Sequence, residues 1–196
     1  WLVTRPWVSN VNYIPTDEFW VYLIDSTGIS PMPVQHLGIP HFDNAGDMSF
    51  NMAGDKLALC GWNNYLAVFD FDRCTGIISN ENIIEPNGFI HPFRVYSSAV
   101  FSPDGSKLYL NSVQEMYQKS GKLYQFDLNA PNIPASRILI DSFPVSAENA
   151  GMEMGPDGKI YISSKHSTTG CGSPFPPGCI TTINSNLSVI NQPDSL

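Results

Sequence analysis

One unit is written three times along this chain. Gly46 to Gly61 reads GDMSFNMAGDKLALCG, Ser97 to Ser112 reads SSAVFSPDGSKLYLNS, and Asn149 to Ser164 reads NAGMEMGPDGKIYISS. Each copy is a short apolar stretch, a turn built on Pro-Asp-Gly or on its degenerate form Met52-Ala53-Gly54, and an alternating strand such as Lys107-Leu108-Tyr109-Leu110. The anchors Phe50, Phe101 and Met154 stand 51 and 53 residues apart. A fixed step of roughly 20 to 50 residues marks a repeat architecture.

A second landmark keeps nearly the same step. Strands end in a polar residue at Asp70 (Leu66-Ala67-Val68-Phe69-Asp70), at Asp127 (Leu123-Tyr124-Gln125-Phe126-Asp127) and at Asn184 (Ile180-Thr181-Thr182-Ile183-Asn184), 57 residues apart each time. Phe19 to Asp25 is a fourth such strand and precedes the first turn unit. Four of these strands against three turn units leaves the first module incomplete.

Within one module the elements follow from the turn chemistry. Ala99-Val100-Phe101 is an inner strand and Ser102-Pro103-Asp104-Gly105 its turn, with Pro103 fixing φ and Gly105 tolerating positive φ. In the third copy Pro156, Asp157 and Gly158 hold the equivalent corner. Lys107 to Leu110 returns antiparallel, Leu123 to Leu128 is the third strand and Arg137 to Ile140 the outermost fourth. A four-stranded meander has two apolar faces, and packing such sheets face to face about an axis covers both. A β-sandwich needs no strict repeat of this length, and β-helix coils are usually shorter. The expectation is an all-β propeller of about 3.5 to 4 four-stranded antiparallel blades from a larger ring. Residues 1–45 form an incomplete first blade, 46–96 and 97–148 the next two, and 149–196 the last.

Composition agrees with short strands and tight turns. Charged residues are 14% of the chain, against 15 Gly and 16 Pro among 196 residues. No stretch carries a capped 3.6-residue apolar period, so helix content is expected to be low. The net charge of −8 and ten scattered basic residues exclude a nucleic-acid partner, which needs Lys and Arg gathered on one face. No run of about 18 apolar residues spans a bilayer. The chain opens Trp1-Leu2-Val3 without an initiator Met or signal-peptide pattern, as expected of a processed or excised piece.

Four cysteines bear on the compartment. Cys171 and Cys179 bracket a stiff loop, Gly172-Ser173-Pro174-Phe175-Pro176-Pro177-Gly178, and are the disulfide candidate; such a bond stabilises by roughly 2–3 kcal/mol and requires an oxidising compartment. Cys60 either bonds Cys74 or is a buried thiol.

The ordered set Ser102-Pro103-Asp104-Gly105-Ser106-Lys107-Leu108-Tyr109, Leu123 to Leu128, Gly155-Pro156-Asp157-Gly158-Lys159-Ile160-Tyr161, and Phe69-Asp70-Phe71-Asp72 followed by Thr75 to Asn80 resembles the large secreted propeller domains of Bacteroidetes. These belong to surface proteins sorted by type IX secretion and associated with gliding motility. Trp1 to Thr4 and Thr27 to Ser30 look like that family's middle blades. The resemblance implies the C-terminal half of a roughly seven-bladed propeller, located extracellularly or at the bacterial cell surface. The implied partners are the remaining blades or another protein chain, and a surface protein or glycan. The first module departs from the pattern at Met52-Ala53-Gly54-Asp55.

Aligned on the anchors, the inner-strand columns are Asp47/Ser98/Gly151, Met48/Ala99/Met152 and Ser49/Val100/Glu153, without a shared acid or His ring. His91, Glu148, Asp47 and Glu153 are the candidates for a channel site assembled from unlike residues, weighed against solvated loop and channel groups. His36 and His41 lie on a Pro/Gly-bounded loop, and His166 precedes Cys171 and Cys179; none has zinc spacing. Asp70 and Asp72 share a side of their strand by period alone. Asn186-Leu187-Ser188 matches a glycosylation sequon. No phosphate loop or nucleophile elbow is present, and no cofactor is expected. The expected function is a binding or scaffold module; the alternative is a lactonase-like hydrolase or lyase whose channel site is shared with further blades.

Overall fold

The computed structural model describes residues 1–6, 16–41, 46–61, 65–85, 95–114, 121–143, 147–166 and 187–195. Fifteen strands are described, with a single 3-10 turn at Pro134–Ser136, and they form four antiparallel sheets in chain order. Sheet 2 runs β5 (Gly46–Phe50), β6 (Lys56–Gly61), β7 (Tyr65–Asp72), β8 (Ile77–Glu85). Sheet 3 repeats the order with β9 (Val95–Phe101), β10 (Lys107–Gln114), β11 (Lys122–Asp127), β12 (Ile138–Ser142). Sheet 4 contains β13 (Ala147–Met154), β14 (Ile160–His166) and β15 (Ser188–Ile190). In sheet 1, β2 (Thr16–Asp25) pairs with β1 (Leu2–Thr4) on one edge and with β3 (Gly28–Pro31) and β4 (Gln35–His41).

The three copies of the repeat keep one register. Phe50 lies opposite Leu57, Phe101 opposite Leu108 and Met154 opposite Ile160. The turns between them are the same as well: the amide of Gly54, Gly105 or Gly158 donates to the carbonyl of Asn51, Ser102 or Gly155 at 2.9–3.0 Å, with φ at +68 to +73°. The departure at Met52-Ala53 leaves this turn intact because Asn51 Oδ1 accepts from the amides of Asp55 and Lys56, each at 3.0 Å. In the second copy Ser102 Oγ accepts from the Lys107 amide at 2.9 Å.

Alternation along each strand sends successive side chains to opposite neighbours. Leu57 and Leu59 of β6 pack with Val3, Phe19 and Val21 of sheet 1, whereas Ala58 and Cys60 pack with Phe101, Leu108 and Phe126 of sheet 3. Tyr109, between Leu108 and Leu110, turns the other way to meet Ile160 and Ile162 of sheet 4. Sheets 2 and 3 are therefore covered on both faces. Edge-on rings join the layers, as in Phe19 against Phe69 at a centroid distance of 5.3 Å, a geometry favoured by the ring quadrupole. The inner strands β5, β9 and β13 are neighbours, so the stack fans out from one edge.

Several sequence expectations are corrected. The fourth strand of sheet 3 begins at Ile138, not Arg137; Arg137 instead reaches Glu85 of sheet 2 at 2.8 Å and lies over the Tyr124 ring. In sheet 4, Ile190 of β15 sits opposite Ile160, as Phe126 sits opposite Leu108. Continuing that register puts Asn191, rather than Asn184, in the place of Asp127. Ile180 to Asn184 lie outside the described residues. His36 and His41 belong to strand β4 rather than a loop, because β2 is long enough to offer Thr16 to Phe19 as a partner edge. Cys60 is not bonded to Cys74. Cys60 pairs with Leu66 near one end of the sheet, while Cys74 follows Asp72 at the other, a separation of roughly 20 Å at 3.3 Å per residue. Disulfide geometry needs Cα atoms within about 7 Å. Cys171 and Cys179 lie outside the described residues. No helix among the described residues is long and apolar enough to cross a membrane.

Candidate hub site

The inner strands carry the polar groups that the sequence columns singled out. Gly46 opens β5 where a Cβ would stand 2.1 Å from the Cys60 carbonyl oxygen, so only glycine lets the strand approach there. The next residue, Asp47, is half-buried, and its Oδ2 accepts from Ser98 Oγ at 2.7 Å. Ser98 is itself buried and accepts from the Met152 amide at 3.1 Å. One hydroxyl thus links β5, β9 and β13. Ser49 Oγ adds a second bridge, donating to the Ala99 carbonyl at 2.6 Å.

Burial pushes the Asp47 carboxyl above its ordinary value, and the hydrogen bonds from Ser98 and from the Met48 and Ala99 amides offset part of that rise. Removing water from a carboxylate disfavours its charged form, while donors favour it. Burial is the larger effect.

Beside this ladder lies a cavity of about 320 Å³. Asp47 and Glu153 both line it. Its other walls come from Met48, Ser49 and Phe50 of β5, Val100 of β9, and Met152 and Met154 of β13. Among the described lining residues there are two carboxylates and no cation.

Two of the four sequence candidates, Asp47 and Glu153, therefore come to the same cavity. Glu148 lies on β13 opposite Lys165, with its side chain outside the described residues, and His91 is outside them altogether. The turn residues Pro103, Asp104 and Gly105, and Pro156, Asp157 and Gly158, sit at the far ends of the inner strands from Ser98 and Gly151. Asp104 Oδ1 accepts from Ser102 Oγ at 2.7 Å and the Ser106 amide at 2.8 Å, which hold its carboxyl well below the usual range. Asp157 accepts from Tyr161 Oη at 2.9 Å. Ser98 was missed as a connector; its signal was its place in the Asp47 column one repeat later.

The remaining candidates each have local partners. Asp70 pairs with Lys56 and accepts from Asn80 Nδ2 at 2.7 Å, while Asp72 accepts from the Cys74 amide and from Thr75 Oγ1. His36 Nδ1 lies 2.9 Å from Asp17 Oδ1. Among the described residues no three His, Cys, Asp or Glu side chains converge as a metal site.

The stack has solved counterparts. A candidate 6-phosphogluconolactonase from Bacteroides uniformis superposes with a TM-score of 0.54 at 13% identity, covering 90% of this chain and 48% of that one. The chain is a run of β-propeller blades. The β-propeller domain of Cps50 (Swd1) from Myceliophteria thermophila gives a TM-score of 0.45 at 10% identity, with 76% and 46% covered. The PQQ domain of pyranose dehydrogenase from Coprinopsis cinerea gives 0.49 at 12%, with 80% and 44% covered. The propeller run thus spans less than half the length of each of these structures. No family model matches it, and no curated protein matches its sequence.

Proposed function

We propose that this chain is part of an extracellular or cell-surface propeller that acts as a binding and scaffold module, its ring completed by further blades. One observation carries the reading. On the face of sheet 1 turned away from sheet 2, Leu2, Trp20, Ile24 and Ile29 are 43, 39, 52 and 66% exposed. Leu2 lies opposite Tyr22 and Ile24 opposite Ile29, so the residues form one continuous apolar face. The corresponding faces of sheets 2 and 3, with Tyr65 and Phe69 on one and Tyr124 and Phe126 on the other, are buried against the preceding sheet. Apolar patches of this kind are sites of association, and continuity with the three sheet interfaces makes another antiparallel sheet of the same ring the fitting occupant. Resemblance to secreted Bacteroidetes propellers supports the surface location and a protein or glycan partner.

The test has two arms. Protease treatment of intact cells should remove the protein, and the propeller immobilised with its further blades should retain a surface protein or glycan. Recovery only from the cytoplasm would overturn the reading. A second reading, a hydrolase or lyase, draws on Asp47, whose carboxyl burial raises within the hub cavity. Lactone turnover lost in Asp47→Asn would favour it.

A further inference from the structure

We infer that residues 192–195 are a strap that holds β15 in sheet 4, and that strap and strand open together as one local unit while sheets 2 and 3 stay packed. The strand before the strap is short. β15 has three residues, against eight in β7 and six in β11, and of the three only Ile190 brings an apolar side chain to the packing against sheet 3. Past Ile190 the chain turns back, with the Ser195 amide donating to the Gln192 carbonyl at 3.2 Å. Sheet 3 then grips the turn. Tyr109 Oη donates to the Pro193 carbonyl at 2.9 Å, Gln125 Nε2 to the Ser195 carbonyl at 3.2 Å, and the Asp104 amide to Asp194 Oδ1 at 3.0 Å, with Pro193 buried.

Equivalent positions one repeat earlier show why this contact can release. In sheet 2 the pair facing the next sheet is Ala58 opposite Val68, and in sheet 3 it is Tyr109 opposite Gln125, each 2% exposed. The chain that follows β11 covers Ala58 and Val68 with Leu128 and Ile133, which pack against the same apolar cluster. The chain that follows β15 offers carbonyls instead. A buried hydroxyl and amide need hydrogen-bond partners, and Gln125 Nε2 also donates to Tyr109 Oη at 2.6 Å. Water can replace a carbonyl in that role at a small net cost, whereas parting Leu128 and Ile133 from sheet 2 exposes apolar surface with nothing in return. Strap and β15 can therefore lift while Met152, Ile160 and Ile162 keep the rest of sheet 4 on sheet 3.

Native-state hydrogen exchange of the full 196-residue chain, followed by mass spectrometry, tests the strap. Residues 187–195 should exchange by local opening, well ahead of β10 and β11. Asp194→Ala, an exposed substitution that removes one of these contacts, should speed exchange there by roughly three- to tenfold, the effect of one hydrogen bond. Tyr109→Phe combined with Gln125→Leu keeps the space filled but removes both side-chain donors. It should speed exchange of residues 187–195 further and leave the rates of β6 and β7 as in the wild type. Exchange of residues 187–195 no faster than that of β10, no change in Asp194→Ala, or an acceleration shared equally by sheets 2 and 3 would each overturn the strap. The outcome does not depend on where the protein resides, so it leaves the surface-binding reading untouched.

Discussion

Ser98 Oγ lies 2.7 Å from Asp47 Oδ2, a contact across 51 residues of sequence that ties the inner strands of two neighbouring sheets. The same oxygen accepts from the Met152 amide of a third strand. Ser98→Ala removes both bonds at once and leaves the Met152 amide without this acceptor. A buried group so orphaned costs about 1–3 kcal/mol, which should appear as a lower denaturant midpoint at unchanged m-value. The Asp47 pKa should also rise further in this variant, because a donor that favours its charged form is gone. An unchanged midpoint would mean that the ladder does not brace the hub.

Gly105 is the cleanest test of the repeated corner. Its φ is +72°, and a Cβ placed there would meet Asn51 Nδ2 no nearer than 3.6 Å. Space is available, so Gly105→Ala isolates backbone strain, expected at about 1–2 kcal/mol from the left-handed conformation. Equilibrium unfolding reads it. Gly105→Asn should be milder, since Asn visits this region more readily.

His36 and Asp17 form an exposed pair whose titration has a definite sign. The hydrogen bond to Asp17 raises the His36 pKa above 6.5, and the same contact lowers that of Asp17. For His36 the contribution to stability is present below 6.5 and is lost as pH rises through its raised folded value. For Asp17 it is present above its ordinary value of 3.8 and is lost as pH falls through the depressed one. An NMR titration of the His36 ring should show the elevated pKa, and Asp17→Asn should return it towards 6.5. A wild-type value at or below 6.5 would show that the pair does not form in solution.

The two described cysteines should differ in reactivity. Cys60 is buried at 0% exposure between sheets 2 and 3, and Cys74 is exposed in the turn after β7. Thiol reagents attack accessible thiolates, so peptide mapping after brief labelling under native conditions should find Cys74 modified and Cys60 protected until unfolding. Equal labelling of both would contradict the packing of sheet 2 on sheet 3.

Much of the blade was legible because its grammar is local. Lys56, Lys107 and Lys159 each follow a turn glycine, and the anchors Phe50, Phe101 and Met154 each precede the turn. Period-2 alternation then fixes which side chains share a face. The last sheet was less legible: Ile180 to Asn184 lie outside the described residues, while Ser188 to Ile190 is too short to show an alternating pattern, and only its pairing with β14 marks it as a strand. Lys159 reflects the consequence, reaching Asp157 at 3.5 Å where Lys107 reaches Asp127 across the strands. The strand β4 was also missed, since Gln35 to His41 lacks alternation and gains its order from the edge of β2.

The hub divides the same way. That Asp47 and Ser98 occupy one column was readable from the repeat; that Ser98 holds the Met152 amide, and that Glu153 comes to the cavity lined by Asp47, was not. Sequence alone determined the module, its turns and its inward and outward faces, because these depend on φ preferences and a two-residue period within one stretch of chain. Tertiary structure decided which carboxylates share the cavity and which apolar face stays bare, because those outcomes depend on how separate sheets stack, and no spacing along a strand encodes the distance to the next one.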